Sequence, residues 1–241
     1  MTDSIGAYDV PERVVAYDAD MEVMHPLRAK MIEIAIEVLP FESSDSLTAI
    51  DLGVGTGFFT GQFLNSFPRS RVIAIDGAVS MLELARSRLS ERSKQITFVV
   101  GDIRNLVHEV SVSSPVDVVF SSYALHHLTA ADKAQVIGQA VGLLRPDGWF
   151  LNADLVAAER SVVERRIQEL RVSGVVRRAA GNDRRFQDEV STRAFLDDLE
   201  AKEGDQPLTL AEDLRIAREA GLENVEVFWK EYREVVFGGP K

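Results

Sequence analysis

The chain has 241 residues and no cysteine, which excludes disulfides, thiolate catalysis and cysteine-held metals, and its length suits one large domain or one domain with an insertion. A formal net charge of −11 opposes unassisted binding to a polyanion, because neutralising phosphates is the sequence-independent part of such affinity, so nucleic acid is not an expected partner. No apolar run is long enough to span a bilayer, and M-T-D-S-I-G-A-Y-D lacks the basic start and apolar stretch of a signal peptide; the expectation is a cytoplasmic protein with no membrane partner.

Residues 1–46 read as an irregular arm leading into a helix over roughly Pro26 to Leu39, where Met31, Ile34, Ala35 and Val38 recur at helical spacing. From Thr48 the sequence T-A-I-D-L-G-V-G-T-G-F-F-T gives an apolar strand containing Asp51, followed by Gly53, Gly55 and Gly57. Glycine can take φ > 0 and lets backbone N–H groups approach a ligand, so this is a strand breaking into a nucleotide-cradling turn ahead of a helix near Gly57 to Ser66. A dinucleotide fingerprint requires glycine at 58 or 60, where Phe58 and Thr60 stand. The looser G-x-G-x-x-x-G reaching Gly61 still admits a nicotinamide cofactor.

A second strand, Arg71 to Ile75, ends at Asp76, placed to accept from both hydroxyls of a ribose. A helix is expected over Ser80 to Leu89, a third strand over Ile96 to Val100 ending in Gly101 and Asp102, and a fourth over Val116 to Phe120 opening onto Ser121, Ser122, Tyr123, His126 and His127. Thr129, three residues before Asp132, caps a helix to Leu144, and Pro146-Asp147-Gly148 reads as a turn before a fifth strand, Trp149 to Ala153. The alternation implies a parallel sheet covered on both faces. Residues 157–207 break it with two helical stretches, about Ala158 to Ala180 and Thr192 to Lys202, which read as a cap above the carboxyl edge of the sheet. The cap is basic: Arg160, Arg165, Arg166, Arg171, Arg177, Arg178, Arg184, Arg185 and Arg193 are either a solvated face with partners such as Glu164 and Glu169, or recognise an anionic small-molecule substrate, with Arg171 and Arg178 as the first choice. A helix over Leu210 to Ala220, stopped by Gly221, precedes two closing strands.

Taken together, D-L-G-V-G-T-G, V-I-A-I-D, V-V-G-D-I, D-V-V-F-S-S-Y-A-L-H-H-L and L-L-R-P-D-G-W-F closely resemble the class I S-adenosylmethionine-dependent methyltransferases, in register over about residues 40–156 and more loosely at the C-terminus. The resemblance implies an α/β fold: a Rossmann-like, seven-stranded, mostly parallel sheet with an antiparallel C-terminal hairpin, formed by 47–156 and 208–241, with 157–207 as the helical cap insertion. It implies S-adenosyl-L-methionine as cofactor. Gly53 and Gly55 would then pass near its methionine part, with Gly57 in the same turn and Asp51 supporting the turn and the cofactor ammonium. Asp76, with Gly77 and Met81 beside it, would hold the ribose, Asp102 and Ile103 the adenine, and Ser121 and Ser122 the wall by the sulfonium. Tyr17 and His25 of the arm are candidates to close over the cofactor.

Methyl transfer needs a base only when the acceptor atom is protonated, and imidazole is the natural one, so His126 and His127 are the catalytic candidates, with Tyr123 as a catalytic or pocket-shaping group. His108 is expected at the surface. No ligand set with metal-site spacing is found, so no metal is inferred. The absence of N-P-P-Y after strand four disfavours amino methylation of bases or glutamine. The expected activity is methyl transfer to a small molecule, and a homodimer is one expectation for assembly. Three alternatives stand beside it. The arginine-bearing insert also resembles the carboxy-S-adenosylmethionine synthase group of tRNA modification. A non-catalytic S-adenosylmethionine-binding protein would share every feature except the histidines. An NAD(P)H reductase needs Y-x-x-x-K, which Tyr8, Tyr17, Tyr123 and Tyr232 do not supply.

Overall fold

The computed structural model of the protein describes residues 4–110 and 115–241. Three helices come first: α1 (Ser4–Tyr8), α2 (Pro11–Met24) and α3 (Arg28–Glu37). Strand and helix then alternate through β1 (Thr48–Leu52), α4 (Phe58–Ser66), β2 (Arg71–Asp76), α5 (Val79–Arg88), β3 (Ile96–Val100), α6 (Leu106–Glu109), β4 (Val116–Ser122), α7 (Ala130–Leu143) and β5 (Leu144–Leu155). Next come α8 (Ser161–Arg178), α9 (Glu189–Glu203), α10 (Leu210–Glu219), β6 (Glu226–Glu231) and β7 (Glu234–Pro240).

The seven strands form one sheet in the order β3-β2-β1-β4-β5-β7-β6. β1 to β5 pair in parallel, whereas β7 runs antiparallel to both β5 and β6. Successive side chains of a strand point to opposite faces, so the apolar run of β1 serves two cores. Ala49 packs on one face with Met31, Phe63 and Leu82, and Ile50 and Leu52 pack on the other with Val136, Ile137 and Ile216. Strand order reverses between β1 and β4, and a crevice opens there at the carboxyl ends of the strands.

The N-terminal arm is helical, not irregular. Pro11 sits at the start of α2, where its fixed φ suits the helix and its missing N–H costs nothing. Val14 and Met21 are buried along α2, and Val14 packs with Ala78 and Met81 at the start of α5. Helical spacing of Val14, Tyr17 and Met21 was the available signal. Nor does Pro146-Asp147-Gly148 precede the fifth strand as a turn. β5 begins at Leu144, and the three residues form an irregularity within it, with Asp147 at φ +61° and a register shift against β4 between Val116 and Val118. Thr129 caps α7 as expected, accepting from the Asp132 N–H at 3.1 Å.

Helices α8 and α9 leave the sheet after β5, and a bridge between Ala157 and Thr209 closes the base of the excursion. Val172, Val175, Phe186 and Leu196 form a small core of their own, joined by Val23 and Met24 of α2. Ion pairs complete the attachment: Arg13 to Glu203, and Arg185 to Asp20 at 2.7 Å. Helix α2 is fastened to the body as well, through Asp18, which accepts from Arg28 at 2.7 Å, from Thr56 at 3.0 Å and from Arg88. The N-terminal helices and the cap therefore make one lid.

Beneath the opposite face, Lys133 of α7 and Asp213 of α10 are completely buried, with Nζ 2.8 Å from Oδ1. Removing one partner of such a pair leaves an uncompensated charge, while removing both does not. Lys133→Met is expected to lower unfolding free energy by about 3–5 kcal/mol in urea titration, and adding Asp213→Leu should restore most of it. Equal stability of Lys133→Met and the parent would refute the pairing.

Candidate functional site

A cavity of about 450 Å³ opens where β1, β2, β3 and β4 end. Gly53 and Gly55 line it at φ +75° and +52°, conformations costly for any residue with a Cβ. A Cβ on Gly53 would also lie 2.5 Å from Ala124 Cβ, so this glycine lets the turns after β1 and β4 touch. Asp76 fixes the turn: Oδ2 accepts from the Gly55 N–H at 2.8 Å and Oδ1 from the Ala78 N–H at 2.9 Å. Burial raises its pKa, opposed by these N–H groups. A Cβ on Gly77 would meet Ile5, so α1 lies directly over this floor.

Gly77, Met81, Asp102, Ile103, Ser122, Tyr123 and His127 also line the cavity. The Asp102 carboxylate accepts from the Arg104 N–H at 2.9 Å and from its guanidinium; burial works against ionisation, but these bonds win and lower the pKa. Tyr123, in left-handed backbone at φ +48°, donates to Glu234 Oε1 at 2.9 Å. Tyr17 lines the cavity from the arm, whereas His25 does not, its Nδ1 lying 2.9 Å from Glu234. His108 is exposed on α6.

Four expected site residues fall behind the wall. Gly57 starts α4 at φ +83°, where its missing Cβ admits Ala85 of α5 and Leu89 just beyond it. Ser121 is fully buried and donates to Leu52 O at 2.8 Å, because β4 runs to Ser122 and the strand's alternation turns Ser121 inward. Asp51 is 1% exposed and accepts from Thr60 Oγ1 at 2.6 Å. Burial, countered by Thr60 and reinforced by the charge of Asp76, raises Asp51 to about 7. His126 lies beside the first cavity, on a second one.

The second cavity, about 410 Å³, lies beneath the lid and is lined by Met21, Met24, His25, His126, Leu155, Phe195 and Leu199 among others. Tyr8, Tyr17, Tyr123, Glu200 and Asp205 line both chambers. His126 Nδ1 is 2.6 Å from Asp154 Oδ1 and its Nε2 is 3.5 Å from Asp205 Oδ1. Burial depresses this imidazole, but the carboxylates outweigh burial and raise it to about 9. That geometry makes His126 an ion-pair centre in place of the free base expected from sequence. His127 is lowered, by burial first and then by the charge of His126; its Nδ1 is 2.9 Å from Asp205 Oδ1 and its Nε2 3.3 Å from the Tyr8 hydroxyl. Asp205, held well below the usual carboxylate range by the two histidines against its own burial, was not found in the sequence. It stands in the loop after α9, far from the histidines in the chain, and no local spacing announces it.

The cap arginines are mostly spent on protein. Arg171 pairs with Glu200, Arg185 with Asp20 and Asp183, Arg166 with Glu169 and Arg193 with Asp197. Arg178 donates to Val23 O at 2.8 Å. Of the two chosen from sequence, Arg171 lines the second cavity and Arg178 lines neither.

Residues 49–148 match the family profile described as a methyltransferase domain. An uncharacterised methyltransferase of Oceanobacillus iheyensis is 31% identical over 59% of this chain and 63% of its own length. Over those residues the chain is similar to S-adenosylmethionine-dependent methyltransferases. Solved structures of the same fold include an O-methyltransferase family protein of Burkholderia thailandensis (TM-score 0.64, 20% identity, 92% of this chain and 57% of that one). Another is phosphoethanolamine N-methyltransferase 2 of Haemonchus contortus with S-adenosylhomocysteine (TM-score 0.66, 16% identity, 94% and 46%). The chain thus spans less than two thirds of each of these relatives. S-adenosylmethionine is the cofactor that this likeness implies, and the first chamber suits it: bare glycine backbone beside the part-buried Asp76 carboxylate, in a volume typical of small-molecule sites. Among the described residues no helix is long and apolar enough to cross a membrane.

The raised pKa of Asp51 makes stability at the glycine turn depend on pH. Its folded pKa of about 7 lies above the ordinary carboxyl value of about 3.9, so the native state holds the proton more tightly and stability falls as pH rises between the two, by about 1.4 kcal/mol per unit. Asp51→Asn removes that slope. Its stability relative to the parent, from urea unfolding, should rise from pH 4 to pH 7 and level off above; a difference independent of pH would show an ordinary carboxylate.

Proposed function

We propose that the protein transfers a methyl group from S-adenosylmethionine to a small-molecule acceptor, with the cofactor along the glycine turn and the acceptor in the second chamber. The observation that carries this reading is the shared wall: Tyr8, Tyr17, Tyr123 and Asp205 face both chambers, so a group held in one reaches a group held in the other. Bound cofactor supplies an electrophilic methyl group on a sulfonium. The protein's part is alignment and exclusion of water, worth roughly 7–11 kcal/mol in well-oriented systems.

Gly53 and Gly55 would carry the methionine part, Asp76 the ribose, Asp102 and Ile103 the adenine, and Ser122 the wall near the sulfonium, with Gly77 and Met81 completing the floor. Asp51 would act at one remove, bracing the turn through Thr60. Tyr123, tied to Glu234, shapes the wall. His126, His127 and Asp205 stand at the junction, where the acceptor's reacting atom must lie.

Support for the acceptor class comes from the second chamber. Met21, Met24, Leu155, Phe195 and Leu199 give it an apolar lining, and its arginines Arg13, Arg171 and Arg185 are neutralised by Glu203, Glu200 and Asp20. An anionic acceptor would have to displace Glu200 from Arg171; a neutral acceptor with an apolar body fits without exchange.

Asp76→Ala should weaken S-adenosylhomocysteine at least roughly tenfold in calorimetric titration, since hydrogen bonds to a charged group contribute about 1.5–3 kcal/mol. Unchanged affinity in a folded variant would overturn the cofactor placement.

A further inference from the structure

We propose that His126, His127 and Asp205 form a binding site for a divalent first-row cation of the zinc class at the junction of the two chambers. Each offers one ligand atom, and the three atoms lie within 4.8 Å of one another. Asp205 Oδ1 is 2.9 Å from His127 Nδ1 and 3.5 Å from His126 Nε2, bracketing the ~3.3 Å between ligand atoms on a tetrahedral ion with bonds near 2.0–2.1 Å.

His127 Nδ1 and Asp205 Oδ1 are buried and, although 2.9 Å apart, make no aligned hydrogen bond to each other or to any other group among the described residues. A cation held by both would satisfy these atoms together. The surrounding groups present the ligands correctly. Asp154 at 2.6 Å takes the Nδ1 side of His126, which turns Nε2 toward the cluster, and the Tyr8 hydroxyl at 3.3 Å takes the Nε2 side of His127, which leaves Nδ1 for the ion. Such outer partners orient metal-binding imidazoles generally. Asp205 is held in place too: the next residue, Gln206, donates its backbone N–H to His126 O at 2.9 Å and its side-chain amide to His127 O at 2.8 Å. Two carboxylates, Asp154 and Asp205, flank two imidazoles, so a dication balances the charge, and binding at Nε2 displaces any proton there to solvent.

His127 and Asp205 line the first chamber, and His126 and Asp205 the second, so the ion's remaining positions open toward the bound molecules. They suit an oxygen donor, which points to a hydroxyl-bearing acceptor. That last step rests on the methyl-transfer reading; the metal site does not.

The test is titration of chelator-stripped protein with Co²⁺, followed by visible absorption, and with Zn²⁺, followed by calorimetry. One equivalent should bind at micromolar concentration, with the absorption of a four- or five-coordinate cobalt ion, and Zn²⁺ should raise the melting temperature. Asp205→Asn and His127→Ala, checked for fold by circular dichroism, should abolish binding, and Asp154→Asn should weaken it about 10- to 100-fold. No binding by the parent, or binding that survives Asp205→Asn and His127→Ala, overturns the site. S-adenosylhomocysteine is titrated in parallel: its binding without cobalt binding refutes the metal alone, and cobalt binding without it refutes the cofactor reading alone.

Discussion

One carboxylate holds the working end of the sheet together. Asp76 accepts from Gly55 in the turn after β1 and from Ala78 at the head of α5, so the end of β2 sets the geometry of two neighbouring segments. Because both bonds come from backbone N–H groups, the turn keeps its shape whatever side chains surround it. The glycines make this possible by leaving room: Gly53 admits Ala124 from across the crevice, and Gly57 admits α5 from behind. A part-buried acid whose oxygens already accept from backbone N–H groups is costly to move, so the rim is organised without a ligand.

The lid is attached by different physics. Its own core is small, and much of its grip comes from charge: Arg13 with Glu203, Arg185 with Asp20, and Asp18 with Arg28 and Arg88. Ion pairs of this partly exposed kind contribute little each and are screened by salt. The rim, held by backbone hydrogen bonds, and the lid, held largely by ion pairs, meet at the tyrosines and at Asp205.

Much of this was legible in the sequence because it is local. Strands β1 to β4 announce themselves as apolar runs, and Gly53, Gly55, Asp76, Asp102 and Ile103 follow strand ends, where the fold sends ligands. The errors share a cause. Ser121 and Ser122 are indistinguishable until the last residue of β4 is known, and one step of alternation decides which faces the cavity. Gly57 has the same backbone need as its neighbours but answers to helix packing. Asp205, the Lys133–Asp213 pair and the partners of the cap arginines depend on contacts between segments far apart in the chain, which no spacing encodes. Helix α2 was readable from Pro11, Val14, Tyr17 and Met21, although its burial against the cap was not.

The two chambers are built from different parts of the chain. Residues 49–148, the part that matches the methyltransferase profile, supply most of the lining of the first chamber, while the second is walled mainly by α2, α9 and the loop that follows. Phe195 and Leu199 of α9 line the second chamber away from the hydrogen bonds around Asp76, whereas α2 touches that rim through Val14 and Asp18. A scaffold divided in this way lets the shape of one chamber change while the glycine turn beside the other stays fixed.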